Sequence, residues 1–444
     1  MANFPDKTIR SKTMKQILLF GAGKSASVLI EYLLSNAEKE NWFLKVVDSD
    51  INVVQSKIGN SNFGQGFSFD IHQKTERNKL IEESDIVISM LPPSLHFIVA
   101  QNCISAKKSL LTASYVDENV KKLQAEVEQN DLLFLCEMGL DPGIDHMSAM
   151  QMIDSIQQQE GEITSFKSHC GGLVAPESDN NPWHYKISWN PKSVVLAGKS
   201  GASFKENGAT KNLKYEEVFN NEEEVQVSEI GNFAWYPNRD SLSYTALYGL
   251  ENTKTFIRTT LRHPDFMKGW QKIIEFNLTD ENIKYDTNGW SLKKFFITHL
   301  ANNNIGLKPK TFIYNLLDFF GINDDETILD LGKCSAAEVL QFVLERKLAL
   351  QPNDKDMIVM MHELEFVKQK ELFKSKSVLV VKGTDKVHTA MAKTVGLPLG
   401  IATRLILNGT IQLKGVQIPT HKSIYEPVLK ELAEHQVSFF ETTN

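Results

Sequence analysis

"KQILLFGAGKSAS", Lys15 to Ser27, is an apolar run that ends in a glycine-rich turn and opens onto a helical pattern. A strand that feeds such a turn is the context a dinucleotide-binding fingerprint requires. Gly21 permits the tight turn, Gly23 lets the backbone approach a pyrophosphate, and Ala26 is small enough for helix and strand to pack closely. Lys24, Ser25 and Ala26 open the helix, where unpaired N–H groups and the positive dipole end attract phosphate. The bland alternative is an ordinary strand–helix turn.

Outward from this turn, apolar runs alternate with helical patterns. They are "FLKVVD" ending at Asp48, "FSFDI" ending at Ile71, "DIVISML" before Pro92, "SLLTAS" ending at Ser114 and "LLFLC" ending at Cys136. Helices are expected between them, as over Ser27–Glu38 and Glu118–Gln129. Six strands with crossover helices make an α/β, Rossmann-type doubly wound parallel sheet, assigned to residues 1–141. The opening "MANFPDKTIRSKT" has no apolar core and reads as a short polar extension.

The texture changes after Gly143. "FKSHCGGL", "KISWNP", "NFAWYPNRD" and "TFIRTTL" suggest a mixed or antiparallel sheet. "DMIVMMHELEF" and "KSVLVVKG" return to it. Residues 142–385 are thus expected to form a second, α+β domain, with a helical lid at about 290–350. The tail 386–444 contains "MAKTVGLPLGIATRLILNGTI", read as a helix, a Gly-Leu-Pro interruption and a second helix. It is expected to pack back on the first domain.

The 444 residues are 42% hydrophobic and 23% charged, with a formal net charge of −7, which argues against a dedicated nucleic-acid binder. The cysteines, Cys103, Cys136, Cys170 and Cys334, form no CxxC pair, which fits a reducing cytoplasm. No apolar run reads as long enough to span a membrane.

Asp48, at the end of the second strand, can accept hydrogen bonds from ribose hydroxyls and would repel a 2′-phosphate. The surrounding "VDSD" supplies no cation to offset that repulsion. NAD is therefore expected, with NADP not excluded. Asp70-Ile71 would flank the adenine, and Leu91-Pro92 sits where such folds place a loop near the cofactor. In "CEMGLDPGIDHMSAM", Cys136 to Met150, Asp141 reads as a helix N-cap and Pro142 as the first helical residue. Asp141, Asp145 and His146 raise the question of a cation site, but adjacent helical residues project from different faces, and no Cys/His cluster supports zinc. No metal is expected.

Several motifs in order carry a more specific resemblance. They are "TASY" (Thr112–Tyr115), "GLDPGIDHM" (Gly139–Met147), "CGGLVAPESDNNP" (Cys170–Pro182), "YKISW" (Tyr185–Trp189), "YPNRDS" (Tyr236–Ser241), "RTTLR" (Arg258–Arg262) and "GTIQLKGVQIPT". With them the chain resembles, from about Lys15 to its C-terminus, the saccharopine dehydrogenase (L-glutamate forming) and saccharopine reductase family. The resemblance implies an enzyme of lysine metabolism acting on a CH–NH group with NAD or NADP. Hydride leaves the lysine ε-carbon of saccharopine, and hydrolysis of the imine gives aminoadipate semialdehyde and glutamate; the reverse is a reductive condensation. It also implies a homodimer, with residues 142–385 as the substrate-binding and dimerisation domain.

The same resemblance assigns residues. Arg239 and Arg262 match carboxylate-binding positions, with Arg258 a nearby candidate and Thr260 and Leu261 neighbouring substrate contacts. Planar guanidiniums suit a substrate with three carboxylates. Ser114 and Tyr115 match a substrate-contacting pair beside the nicotinamide, next to Ala113. Asp141 matches a substrate-contacting Asp whose neighbours Leu140 and Pro142 face the cofactor. Cys170 matches a cysteine lining the same pocket, and Ser188 and Trp189 fall near the nicotinamide side. Asp141, Cys170 and Tyr115 are the catalytic candidates; His169 is a further one, leaving the general base open. Two departures stand out. Ser49 occupies the register where fungal members carry an Arg suited to a 2′-phosphate, and His169 and Val174 stand where relatives commonly have Tyr and Pro. The alternatives are a related enzyme of the carboxynorspermidine or homospermidine type, whose substrates carry fewer carboxylates, and a nucleotide-binding scaffold without turnover.

Overall fold

A computed structural model describes residues 14–444; the polar extension read over residues 1–13 lies outside them. The chain divides into two compact units. One runs to Pro142 and takes in Val395–Pro419; the other is Gly143–Thr394 with Thr420–Asn444.

The first unit is built on β1 (Lys15–Phe20), β2 (Trp42–Asp48), β3 (Gly64–Ser68), β4 (Ile86–Ser89), β5 (Ser109–Thr112) and β6 (Leu133–Leu135). A seventh strand, Gly415–Gln417, pairs with β6, and the order is Gly415–Gln417, β6, β5, β4, β1, β2, β3. All neighbours in this sheet are parallel. The central strands are apolar on both faces, with Ile17, Leu18, Leu19 and Phe20 wholly buried, because helices cover both sides of a parallel sheet. Strand order reverses beside β1, the place where doubly wound sheets leave a crevice.

The Rossmann-type reading holds, with local corrections. The third strand is Gly64–Ser68, earlier than "FSFDI" suggested. Gly64 and Gly66 lie so close to Leu34, Ile58 and Val54 that a Cβ would collide, so residues that look like breakers are needed in this strand. The chain then turns at Asp70, whose carboxylate accepts the His72 N–H at 2.9 Å. Ser27–Glu38 divides at Asn36 into α1 (Ser27–Ser35) and a short helix Ala37–Glu40. Glu118–Gln129 divides likewise into Glu118–Lys121 and Gln124–Gln129.

Residues Ala390–Leu407 form one helix with Pro398 inside it, not two helices around an interruption. Gly396 packs against the Leu29 backbone and Gly400 against the Tyr32 ring, contacts that a larger residue would prevent. By length and composition this helix could cross a membrane, with mean hydropathy 1.3, which the sequence reading did not anticipate; 72% of it is buried within the protein.

In the second unit, β7 (Glu162–Val174) lies at the middle of a mixed ten-stranded sheet. It runs parallel to Thr255–Arg262 and antiparallel to Asp356–Lys368. Gly231–Pro237 borders Thr255–Arg262, and Glu371–Lys382 borders Asp356–Lys368. The segment expected as a lid supplies helices Leu292–Asn302, Phe312–Phe320 and Ala336–Lys347, whose Phe295, Leu316 and Val339 share a core with Trp183 and Trp270. The tail beyond Thr420 also differs from its expected place. Phe440–Thr443 pairs with Glu371–Lys382, and the Tyr425 hydroxyl donates to Asp154, fixing helix Lys422–Glu434 on helix Ile144–Gln158.

Candidate active site

The nucleotide end is built by the turn after β1. Gly21 has φ +95°, and a Cβ there would lie 2.7 Å from the Met90 carbonyl oxygen. Above Gly23 nothing lies within 4 Å of a Cβ position, so a ligand can reach the backbone there. Ala26 is buried, while Lys24 is exposed and Ser25 half-exposed at the helix start. This cradle suits a pyrophosphate.

Asp48 does more than end β2. One carboxylate oxygen accepts the Ala22 N–H at 2.7 Å; the other accepts the Ser49 hydroxyl at 3.2 Å and the Asp50 N–H at 3.3 Å. It therefore braces the glycine turn. Lys57, on the following helix Ile51–Ile58, donates its ammonium to the Gly23 carbonyl. Burial brings its pKa down to about 8, against the opposing pull of Asp48. Lys57 was missed because the sequence reading looked for a cation only within "VDSD"; a lysine one helix later carries no local signal. Asp70 is exposed and serves a turn, and half-buried Ile71 packs with the apolar side chains beneath it. Pro92 is exposed beside half-buried Leu91.

At the ends of β4 and β5 a polar column appears. Ser89 meets His96 Nδ1 at 2.8 Å, and His96 Nε2 meets the Ser114 hydroxyl at 2.7 Å. Burial pushes the His96 pKa down to about 4, so the ring is neutral at pH 7 and orients Ser114 by hydrogen bonding. His96 is the second residue that the sequence reading missed; it lies just beyond Leu91-Pro92 in "LPPSLH". The Tyr115 hydroxyl donates to Asp141 at 3.3 Å. Ala113 approaches Gly139 so closely that a Cβ on Gly139 would be 3.0 Å from its methyl, which seats the Gly139–Pro142 turn with Leu140 buried.

Asp141 is not a helix cap, and Pro142 is not helical. The Asp141–Pro142 peptide is cis, and the helix starts at Ile144 with Gly143 as N-cap. Asp145 takes the capping work, accepting the Gly143 N–H at 2.6 Å. Asp141 is thereby available to Tyr115.

The second unit offers one face of its sheet. Thr260 lies opposite both Cys170 and Tyr236, and Cys170 opposite Met360. Alternation then places Arg258, Thr260, Arg262 and Cys170 on one face, and His169, Thr259 and Leu261 on the other. The His169 ring accordingly meets the Thr259 hydroxyl at 2.7 Å, and Leu261 is wholly buried among Leu173, Trp235 and Val359. Leu261 can contact a ligand on the Cys170 face only through its backbone, and His169 cannot act as a base there. His169 Nε2 instead lies 3.5 Å from Glu363, without hydrogen-bond geometry.

Arg262 is 4% exposed. Its guanidinium lies over the rings of Tyr185, Tyr236 and Phe266 at 5.1, 5.9 and 5.6 Å. It donates to the Leu261 carbonyl, while Nε has no hydrogen-bond partner and no carboxylate among the described residues pairs with it. A buried cation without a counter-ion is costly, so this is a place prepared for an anion. Arg258 differs: it is 3% exposed and donates to Asp145 at 2.7 Å. Burial would raise the Asp145 pKa, but His146 and Arg258 hold it below the usual carboxylate range. Arg258 thus already has a carboxylate partner within the protein, and His146 is taken up by the Tyr248 hydroxyl.

Arg239 is exposed at φ +52°, in a two-residue strand paired with Ala202-Ser203. The neighbouring Asn238 N–H bonds to the Arg258 carbonyl, so Arg239 sits near the Arg258 end of that strand, about 13 Å of strand from Arg262. Ser188 is buried against the Asp356 carboxyl, and Trp189 donates to the Tyr185 hydroxyl at 3.3 Å. Both are held by the protein's own groups.

The chain matches the family model of the saccharopine dehydrogenase NADP binding domain over residues 17–135, and that of the saccharopine dehydrogenase C-terminal domain over residues 139–437. It is 32% identical to the mitochondrial alpha-aminoadipic semialdehyde synthase of Bos taurus, over 96% of this chain and 48% of that protein. It is 28% identical to the saccharopine dehydrogenase [NADP(+), L-glutamate-forming] of Saccharomyces cerevisiae, over 95% of this chain and 97% of that one. The chain thus spans about half the length of the synthases it matches. Among solved structures, apo saccharopine dehydrogenase (L-Glu forming) from Saccharomyces cerevisiae superposes with a TM-score of 0.86 at 27% identity, covering 97% of this chain and 100% of that one.

Proposed function

The chain belongs to the saccharopine dehydrogenase family, and we propose that it oxidises saccharopine to aminoadipate semialdehyde and L-glutamate, or runs the reverse condensation. The observation that carries this reading is Arg262, buried, ringed by aromatics and lacking a carboxylate partner among the described residues. A substrate carboxylate supplies what the fold omits. Arg239, about 13 Å away along the strand, suits a second carboxylate of an extended substrate. This favours a tricarboxylate over the less acidic substrates of the carboxynorspermidine and homospermidine enzymes.

A nicotinamide dinucleotide fits the cradle of Gly21, Gly23 and the following helix start, and when bound it accepts the hydride from the substrate ε-carbon. The chain's own residues do the rest. Tyr115 holds the Asp141 carboxylate, which takes a proton from the substrate ammonium, passes it to solvent, then takes one from the water that adds to the imine carbon and returns it to the departing glutamate nitrogen. Ser114, oriented by neutral His96, places the amine. Cys170, next to Thr260 on the Arg262 face, lines the substrate.

For the cofactor, Asp48 and the absence of an arginine at Ser49 support NAD. The words NADP in the matched domain's description and in the yeast relative's name apply to those proteins. Lys57 stands against this preference, as a cation hydrogen bonded to the glycine turn. The four cysteines, all free and buried, support a reducing compartment. A homodimer belongs to the same proposal, checked by light scattering. The deciding assay follows reduced cofactor formed by the purified chain with saccharopine, with NAD and NADP in parallel. Turnover with NAD at a lower KM is expected. No reduction with either cofactor overturns the function, and a lower KM for NADP overturns the role given to Asp48.

A further inference from the structure

In the second unit, two chain segments 79 positions apart bring three metal-ligating side chains together. His184, His263 and Asp265 each present a ligand atom within 4.8 Å of the others. The two imidazoles stack with centroids 3.8 Å apart and planes 26° from parallel. His184 Nε2 lies 3.7 Å from the Asp265 carboxylate. All three residues are half-buried, neither sealed in the core nor spread on open surface.

A fourth group makes this more than a chance cluster. Asp179 accepts from His184 Nδ1 at 2.7 Å, which fixes the tautomer and leaves the Nε2 lone pair directed at Asp265. A carboxylate behind an imidazole is how metal-binding histidines are oriented and made more basic. The other oxygen of Asp179 is buried without a hydrogen-bond partner.

We propose that His184, His263 and Asp265 form a site for a divalent transition metal of the zinc class, with Asp179 orienting His184. Two imidazoles and a carboxylate are a borderline donor set that suits zinc, cobalt or nickel better than calcium or magnesium. Three protein ligands leave a fourth position to water. Two adjustments accompany binding. His263 Nδ1 gives up the 3.2 Å bond by which it caps helix Pro264–Glu275, and exposed Lys268, 3.9 Å from Asp265, swings away. The metal would pin together the segments that carry Tyr185 and Arg262, one residue from His184 and His263 respectively, so it would stiffen the aromatic ring around that guanidinium.

The site is not visible from sequence spacing, because His184 and His263 share no short motif. The test uses the full chain, stripped with a chelator and dialysed against zinc or cobalt(II), with metal content and the cobalt absorption spectrum as readouts. One metal per chain and a cobalt spectrum of low-coordinate N/O type are expected. His184→Ala and His263→Ala should each lose stoichiometric retention, and Asp179→Asn should weaken it by about 10- to 100-fold. An unchanged thermal unfolding transition of the metal-free chain shows that these variants fold. Less than one zinc retained by the unaltered chain, or equal retention in the double histidine variant, overturns the site. Neither readout depends on saccharopine turnover.

Discussion

Arg258 and Arg262 are four residues apart on one strand, on the same face, and equally buried, yet they differ in kind. Both lie against aromatic rings, Arg258 against Tyr244 and Arg262 against Tyr185, Tyr236 and Phe266; Arg258 also has a carboxylate at 2.7 Å, and Arg262 has none among the described residues. Residue type, burial and strand position are therefore insufficient to separate a scaffold arginine from a ligand-binding one. The counter-ion decides.

Arg258→Met tests this contrast most severely. Removing the cation strands a buried Asp145, and a loss of about 3–5 kcal/mol is expected in chemical denaturation. Adding Asp145→Asn should restore part of it, since the uncompensated charge is then gone. If Arg258→Met leaves stability intact and abolishes saccharopine binding, the two arginines have been assigned the wrong way round.

Acid should expose the same end of the strand. Burial lowers the His362 pKa to about 4, close to Asp145 and Arg258. Above pH 6.5 the ring is neutral folded and unfolded, and it adds no pH dependence. As pH falls from about 6.5 to 4, the unfolded chain takes up the proton first, so stability is lost, by up to about 3 kcal/mol. In urea titrations over this range, His362→Gln should flatten the slope; an unchanged slope would clear His362.

Arg262→Met should do the opposite of Arg258→Met. Stability changes by less than about 1 kcal/mol, because no buried partner is orphaned, while KM for saccharopine rises by about 100-fold. Nucleotide affinity, read by fluorescence titration, stays the same. Arg239→Met is the mildest change: its exposed guanidinium is screened by water, and a KM increase of about 10-fold is expected. No increase would remove Arg239 from the substrate.

The alternation of apolar runs and helical patterns made the parallel sheet legible, because buried parallel strands are uniformly apolar. β3 escaped that pattern, since its glycines report close packing rather than hydrophobicity. Pro398 misled for a related reason: a helix gripped through Gly396 and Gly400 tolerates a residue that local propensity counts as a break. For the candidate site, motifs named Asp141, Tyr115, Cys170 and Arg262. Which of them already had a partner was not legible there. Asp145 displacing Asp141 from the cap is a local choice between neighbouring carboxylates, whereas Lys57 reaching Gly23 and His96 behind Ser114 are contacts across the fold that spacing does not encode. His169 and Leu261 neighbour Cys170 and Arg262 in sequence but lie on the opposite face of the sheet.

The seventh strand of the nucleotide sheet, Gly415–Gln417, has a consequence for how the protein is made. Its partner β6 ends at Leu135, about 280 residues earlier. At about 5–20 residues per second, β6 emerges from the ribosome roughly 15 to 60 s before the strand that covers it. Throughout that interval its backbone is an open edge, able to pair with a neighbouring nascent chain. A fragment ending near Pro142 keeps that edge permanently, so the N-terminal domain expressed alone should precipitate where the full chain does not.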